Sequence, residues 1–344
     1  MIEARLNALF EAMSSSQRVL ILPHNDPDPD AIASAIALRY LLAQRSSLQA
    51  DVVYKGLIGR AENKALVRYL DHPLRRLSSV NFRPPALVAL VDTQPGAGNN
   101  ALPPECNAAV VIDHHPWREG SAAATFADVR SDVGATSTIL TGYLQAAVLE
   151  PPSTLATALF YGIKTDTMGL GRGASPADAA AYFYLQPRID VDALVEIERA
   201  QVPAEYFRSL TAALQAAQRY EDVVISYVGA VGYPDLAAEM ADLLLRLEGT
   251  RWVICMGAYQ DSLILAARTR SRRGGAGQLV RAMVGMRGLA GGHGTMAGGQ
   301  VQLQGEDAAR LAREFGQRAL QFLKIPPEIV GKPIIQWSTE ELQG

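Results

Sequence analysis

Three short apolar runs, RVLILP (18–23), ALVALV (86–91) and AAVVI (108–112), are each followed closely by aspartate or histidine. A short continuous apolar run is what a strand buried on both faces requires. Helical patterns alternate with these runs. Ile32, Ile36 and Tyr40 recur at helical spacing after Asp30, and further stretches span Thr136 to Val148 and Thr154 to Lys164, with Ser153 as the expected N-cap of the latter. This alternation predicts an α/β fold with a mostly parallel sheet. Ligands of such sheets bind beyond the carboxyl ends of the strands. The residues that follow the runs therefore share one edge: His24, Asp28 and Asp30 after the first, Asp92 after the second, and Asp113, His114 and His115 after the third. Asp166, in YGIKTDTMGL, follows an apolar helix and is a fourth candidate.

Carboxylates gathered at one edge repel one another unless positive charge sits among them. Divalent cations supply it. Oxygen ligands mixed with one or two imidazoles suit manganese, and less exclusively magnesium, cobalt or iron. A carboxylate shared between two such ions gives a two-metal clamp suited to displacement at phosphorus. Each residue taken singly has a plainer explanation. Asp28 or Asp30 can cap a helix, Asp92 can sit in a turn, and Asp113 can end a strand. Only the metal reading explains all the strand ends together.

At 344 residues the chain has room for two domains, and 49% hydrophobic against 19% charged residues marks it as globular. A net charge of -3 argues against a protein that coats long nucleic acid, but leaves room for a short nucleotide bound in a local basic pocket. Cys106 and Cys255 stand far apart and fit neither a disulfide framework nor a zinc site, so both read as buried, inert thiols. The N-terminal stretch lacks a cleavable signal pattern, and no apolar run reaches membrane-spanning length. A reducing, cytoplasmic setting without a membrane partner is expected.

From Val223 the pattern changes. VVISYVGAV, RWVICMGAYQ and SLILAARTR read as strands, the last two as a hairpin, with a helix from Asp235 to Leu247 between the first two. A glycine-rich stretch, the strand QVQLQ and a helix over Ala308 to Leu323 follow. The predicted division is a parallel-sheet domain over 1–203, a helical connector over 204–221, a smaller α+β domain over 222–330 and a tail over 331–344. Arg268 and Arg270 share one face at a strand end, as a phosphate fork would. The stretch AGGHGTMAGG reads as a loop whose backbone N–H groups approach an anion or a nucleotide. A solvated hairpin end and a flexible turn are the plainer alternatives for these two features.

HNDPDPDA, VDTQ, DHHP and YGIKTDT, in this order, resemble the four motifs of the DHH phosphoesterase family, and GGHGTMAGG resembles the glycine-histidine motif of its DHH-associated C-terminal domain. The resemblance covers nearly the whole chain. It implies two divalent cations, manganese foremost: one held by His24, Asp28 and Asp92, the other by Asp30, Asp92, His114 and Asp166. Asp92 would bridge, with a hydroxide between the ions aimed at phosphorus. His115 would face the scissile phosphate and Asp113 would orient an imidazole. Arg268, and less firmly Arg270, would contact substrate phosphate; Gly291, Gly292 and His293 would bind the far end of a nucleotide. Pro29, Met168 and Met296 depart from the family pattern without removing a ligand. Size and architecture place the chain nearest the oligoribonuclease and 3′-phosphoadenosine 5′-phosphate phosphatase branch, acting on short RNA, linear dinucleotides or bisphosphonucleotides in a narrow interdomain cleft. A homodimer is compatible with that reading. The alternatives are an exopolyphosphatase or pyrophosphatase, and a non-catalytic nucleotide sensor.

Overall fold

The computed structural model describes residues 2–77, 86–103, 105–271 and 273–335, and the chain divides into two compact units, Met1–Ala200 and Gln201–Gly344. The first unit contains α1 (Ile2–Ala12), β1 (Arg18–Pro23), α2 (Pro29–Arg45), β2 (Gln49–Tyr54), α3 (Ala61–Tyr69), β3 (Leu74–Arg76), β4 (Leu87–Val91), β5 (Val110–Asp113), β6 (Phe126–Val129), α4 (Thr136–Ala146), α5 (Ser153–Asp166), α6 (Pro176–Leu185) and α7 (Val191–Glu198). Its six strands pair in parallel in the order β3-β2-β1-β4-β5-β6. The order reverses between β1 and β4, and a crevice opens at such a point beyond the strand ends. Residues just past β1, β4 and β5 are therefore neighbours in space as well as in kind.

Helices cover one face of this sheet. α2 is buried along most of its length because Ala31, Ala33, Ala35 and Ala37 let it lie close to its neighbours. It starts where it does because Asp28 accepts the Ala31 N–H (3.0 Å) while Pro29, at the first helical position, needs no partner. The other face buries Leu20, Leu22, Val88, Leu90 and Val111. α5 begins one residue earlier than expected: Pro152 is its N-cap and Ser153 its first helical residue, so Ser153 caps nothing. β3, β6, α3 and α7 were not anticipated, being short or lacking a clear apolar period. Among the described residues no helix is long and apolar enough to cross a membrane.

The second unit contains α8 (Ala204–Ala216), β7 (Gln218–Tyr220), β8 (Val223–Ala230), α9 (Leu236–Leu244), β9 (Trp252–Tyr259), β10 (Ser262–Thr269), α10 (Ala276–Val284), β11 (Gly288–His293), β12 (Met296–Gln302), α11 (Ala308–Phe322) and β13 (Lys332–Pro333). A mixed seven-stranded sheet runs β11-β12-β10-β9-β8-β7-β13. The helical connector expected over 204–221 is instead α8 followed by strand β7. α8 lays Ala213 onto the sheet, where the Ala213 carbonyl accepts the Ser226 hydroxyl (2.8 Å). Tyr220 turns back to pair with Val223.

The glycine-rich stretch is a β-hairpin, not a loop, and close packing accounts for part of its glycine. A Cβ on Gly292 would fall 2.4 Å from the Ala297 Cα, one on Gly277 of α10 2.2 Å from the Gly292 carbonyl, and one on Gly299 2.9 Å from Val280. At these positions the backbones approach too closely to admit a side chain. Cys255 is buried as expected and its thiol is pushed up by burial, whereas Cys106 is partly exposed.

Asp178 links this scaffold to the start of α4. It is fully buried and accepts from the Ser175 N–H (2.7 Å) and hydroxyl (2.7 Å), the Gly134 N–H (2.8 Å) and the Thr138 hydroxyl (2.5 Å). Asp178→Ala leaves four donors, that of Thr138 buried and the others partly buried, without this partner and is expected to cost about 2 kcal/mol of stability. A lowered urea midpoint at unchanged slope is the readout, and an unshifted midpoint would refute the role.

Candidate metal centre

Every sequence-predicted ligand of the first unit lies at the carboxyl edge of β1, β4 and β5 or at a helix end facing it. His24 follows β1, Asp28 and Asp30 begin α2, Asp92 follows β4, His114 and His115 follow β5, and Asp166 closes α5. Three groups form: His24, Asp28 and Asp92; Asp30, His114 and Asp166; and Asp92, His114 and His115. His24 Nε2 stands 3.6 Å from both Asp28 Oδ1 and Asp92 Oδ2, while His114 Nε2 stands 3.4 Å from Asp92 Oδ1 and 3.5 Å from Asp166 Oδ2. The two oxygens of Asp92 therefore face different histidines, as those of a carboxylate shared between two ions can.

These separations are long for hydrogen bonds. They suit donors around one ion: with bonds of about 2.1 Å, neighbouring ligand atoms sit roughly 3.0–3.5 Å apart. The donor set fits a cation on a second ground. His114 Nε2 is buried with no hydrogen-bond partner among the described residues. A buried imidazole nitrogen aimed at two carboxylates without bonding either one is a ligand atom in want of a metal.

Electrostatics agree. Burial, then the charges of Asp30 and Asp28, push the Asp92 carboxyl well above the usual carboxylate range. Asp166 is raised well above it for the same reasons, burial first and then Asp28, Asp30 and Asp92. Burial opposes the His24 charge, yet the adjacent carboxylates of Asp28 and then Asp92 outweigh it and raise the imidazole to about 10. Without a cation, protons must hold this cluster together.

The sequence reading missed the groups that aim the ligands. α4 opens on Ala135, which has no capping side chain, and its first N–H donors are taken by Asp30: Thr136 N–H to Oδ2 (2.7 Å) and Ser137 N–H to Oδ1 (2.8 Å). The Thr136 hydroxyl donates to Asp92 Oδ1 (2.8 Å). Gln94, also buried, donates to Asp113 Oδ2 (2.7 Å), and Asp113 Oδ1 holds His115 Nδ1 (2.8 Å) and the His114 N–H (2.9 Å). His115 Nδ1 also lies 3.8 Å from Asp92 Oδ1, and its ring is 36% exposed. Asp92 itself has a left-handed backbone (φ 59), an uncommon conformation for a residue with a side chain.

The second unit's candidates lie on separate features. Arg268, on β10, is buried against α9, with Nε on Asp242 Oδ1 (2.5 Å). Arg270 donates Nε to the Leu245 carbonyl (3.0 Å) and is exposed. Gly291 and Gly292 pair with Gly298 and Ala297 in the hairpin. His293 ends β11, and its side chain lies outside the described residues.

Two outcomes follow for metal binding. Thr136→Val keeps the shape but removes the hydroxyl on Asp92, so manganese affinity should fall about tenfold with secondary structure unchanged; calorimetric titration with circular dichroism decides. Ligation requires the raised groups Asp92, Asp166 and His24 to give up their protons. Affinity should therefore be higher near pH 8 than near pH 6, and a flat profile would contradict the assignment.

Residues 18–163 match the DHH family, N-terminal domain. The uncharacterized protein MJ1633 of Methanocaldococcus jannaschii is 37% identical over 287 residues, covering 83% of this chain and 58% of that protein. The cyclic-di-AMP phosphodiesterase PdeA of Listeria monocytogenes is 24% identical over 289 residues, covering 76% of this chain and 42% of its own length. A probable manganese-dependent inorganic pyrophosphatase of Streptococcus pyogenes is 27% identical over 151 residues, 44% of this chain and 49% of that one. The chain thus spans roughly half the length of these relatives. In fold it resembles the crystal structure of an exopolyphosphatase-related protein from Bacteroides fragilis, with TM-score 0.72, 13% identity and coverage of 93% and 96%. His24, Asp92 and His114, which meet at the edge of the parallel sheet, all lie within the residues 18–163 that match the DHH family, N-terminal domain.

Proposed function

We propose that the protein is a divalent-metal-dependent phosphoesterase that hydrolyses short oligoribonucleotides, linear dinucleotides or 3′-phosphoadenosine 5′-phosphate. The observation that carries this reading is Asp92, whose two oxygens face His24 and His114 at 3.6 and 3.4 Å. His24, Asp28 and Asp92 would hold one cation and Asp30, Asp92, His114 and Asp166 a second, manganese foremost. Bound there they would supply positive charge to offset a phosphate's oxygens and lower the pKa of water. The remaining work falls to side chains. Asp113 holds Nδ1 of His115 and so fixes its tautomer, leaving the Nε2 side of a partly exposed ring to meet the phosphate. Gln94 fixes Asp113 in turn.

Arg268 is the proposed phosphate contact of the second unit, with Arg270 beside it. In the absence of an anion its guanidinium rests on Asp242, which a substrate phosphate would displace. Gly291, Gly292 and His293 are proposed to receive the far end of a nucleotide.

A second reading, hydrolysis of a phosphoanhydride, draws on the pyrophosphatase relative. That alignment covers 44% of this chain, whereas the phosphodiesterase relative aligns over 76%, a share larger than the first unit alone. The wider match favours the phosphoester.

The test is a manganese-supplemented panel of an RNA dinucleotide, a long single strand, 3′-phosphoadenosine 5′-phosphate and polyphosphate. Mononucleotides or AMP as products support the proposal; phosphate from polyphosphate alone supports the second reading. Tight nucleotide binding without turnover would instead indicate a sensor. Asp92→Asn should lower turnover on the preferred substrate by at least about a thousandfold, and near-full activity would overturn the two-metal assignment.

A further inference from the structure

Trp117 stands two residues past His115 and is 54% exposed, while Trp252 is 8% exposed. The indole is held out on a turn that is fixed from beneath. The buried Gln94 amide donates to the Pro116 carbonyl (3.1 Å) and accepts from the Arg118 N–H (2.8 Å), so it grips the backbone on both sides of Trp117. The same amide donates to Asp113 (2.7 Å), the carboxylate that holds His115. The aromatic turn and the imidazole beside it are therefore parts of one hydrogen-bonded unit.

Met168 occupies the matching position on the other ligand-bearing segment. It lies two residues past Asp166, is 65% exposed and has a left-handed backbone (φ 50). His114 and Asp166 meet at 3.5 Å, so the segments that carry Trp117 and Met168 converge at the metal centre. At 3.8 Å per residue, neither Cα is more than about 12 Å along the chain from a ligand residue's Cα. Two large, exposed apolar side chains thus lie within three residues along the chain of candidate metal ligands.

A bare phosphate or a polyphosphate offers nothing for such groups to touch. A nucleobase does: it has an apolar face, stacks on indole regardless of sequence, and loses little entropy against a ring whose turn is already fixed. We propose that Trp117 is a stacking platform for the base of a nucleotide whose phosphate lies at the metal centre, with Met168 a second apolar contact. This rests on the phosphoester reading and narrows it to substrates that bear a base next to the scissile phosphate.

Two measurements test it. In the first, tryptophan fluorescence of the manganese-loaded protein is titrated with AMP and with inorganic phosphate. Saturable quenching by AMP, none by phosphate, and none by AMP in Trp117→Phe is expected; equal quenching in Trp117→Phe, or none in the wild type, overturns the platform. The second compares kcat/KM for an RNA dinucleotide and its abasic analogue. In Trp117→Ala the ratio of the two should fall at least about tenfold, chiefly through KM, and Trp117→Phe should restore most of it. An unchanged ratio in a protein that still cleaves dinucleotides overturns the inference and leaves the phosphoester reading standing. If the wild type cleaves only polyphosphate, the phosphoester reading fails, and the AMP titration still decides whether Trp117 binds a base.

Discussion

Mutual repulsion among buried carboxylates is the constraint around which the first unit is organised. Asp28, Asp30, Asp92 and Asp166 converge within reach of His24 and His114, and Asp30 and Asp92 at its heart are fully buried, away from the water that would otherwise screen them. Left alone, such a cluster must take up protons or move apart. Held in place, it would make a strong site for a divalent cation, because an arriving ion would release the free energy stored in the repulsion. Stability and cation binding are thus set by the same groups.

Three helix ends share the task of holding the cluster, and they do so with opposite electrostatic effects. Asp28 caps the N-terminus of α2, and Asp30 takes the first N–H groups of α4, so helix dipoles favour the charged form of both; burial still raises the Asp30 carboxyl above its ordinary value. Asp166 is the last residue of α5, where the partial charge of the helix end is negative and a carboxylate is disfavoured. Burial first, and then Asp28, Asp30 and Asp92, raise its carboxyl well above the usual range, as burial, Asp30 and Asp28 raise that of Asp92. The helix that carries Asp166 is long and deeply packed against α2, which prevents it from swinging away.

The candidate ligands were legible in the sequence because most follow closely on a recognisable event, a buried strand running into acids and histidines; Asp166 instead closes an apolar helix. The strand order and the shared edge follow from chirality and connectivity once those strands are recognised. Thr136 and Ser137 were not legible: they reach Asp30 across more than a hundred residues, and a Thr-Ser pair at a helix start looks like ordinary capping chemistry. Gln94 was quoted within VDTQ, but its value lies in bonds to Asp113, Pro116 and Arg118, which only the fold brings together. The glycine-rich stretch was misread for a different reason. Close backbone approach and turn flexibility both select glycine, and composition does not distinguish them. Met168 was noticed as a departure from the family pattern; its exposure was not visible.

A metal centre of this kind has little power to choose among substrates. Two cations and an imidazole recognise a phosphate's oxygens, which phosphodiesters, phosphomonoesters and anhydrides all present. Selectivity must come from groups that touch the rest of the molecule, and only interactions that differ between rival substrates contribute to it. In the first unit the side chains proposed for that part are Trp117 and Met168, each two residues past a candidate ligand or its neighbour. In the second unit the proposed contact is Arg268, which is paired with Asp242, so a phosphate that binds it exchanges one anion for another. Such an exchange gains little from a lone phosphate, because a similar contact is broken as the new one forms.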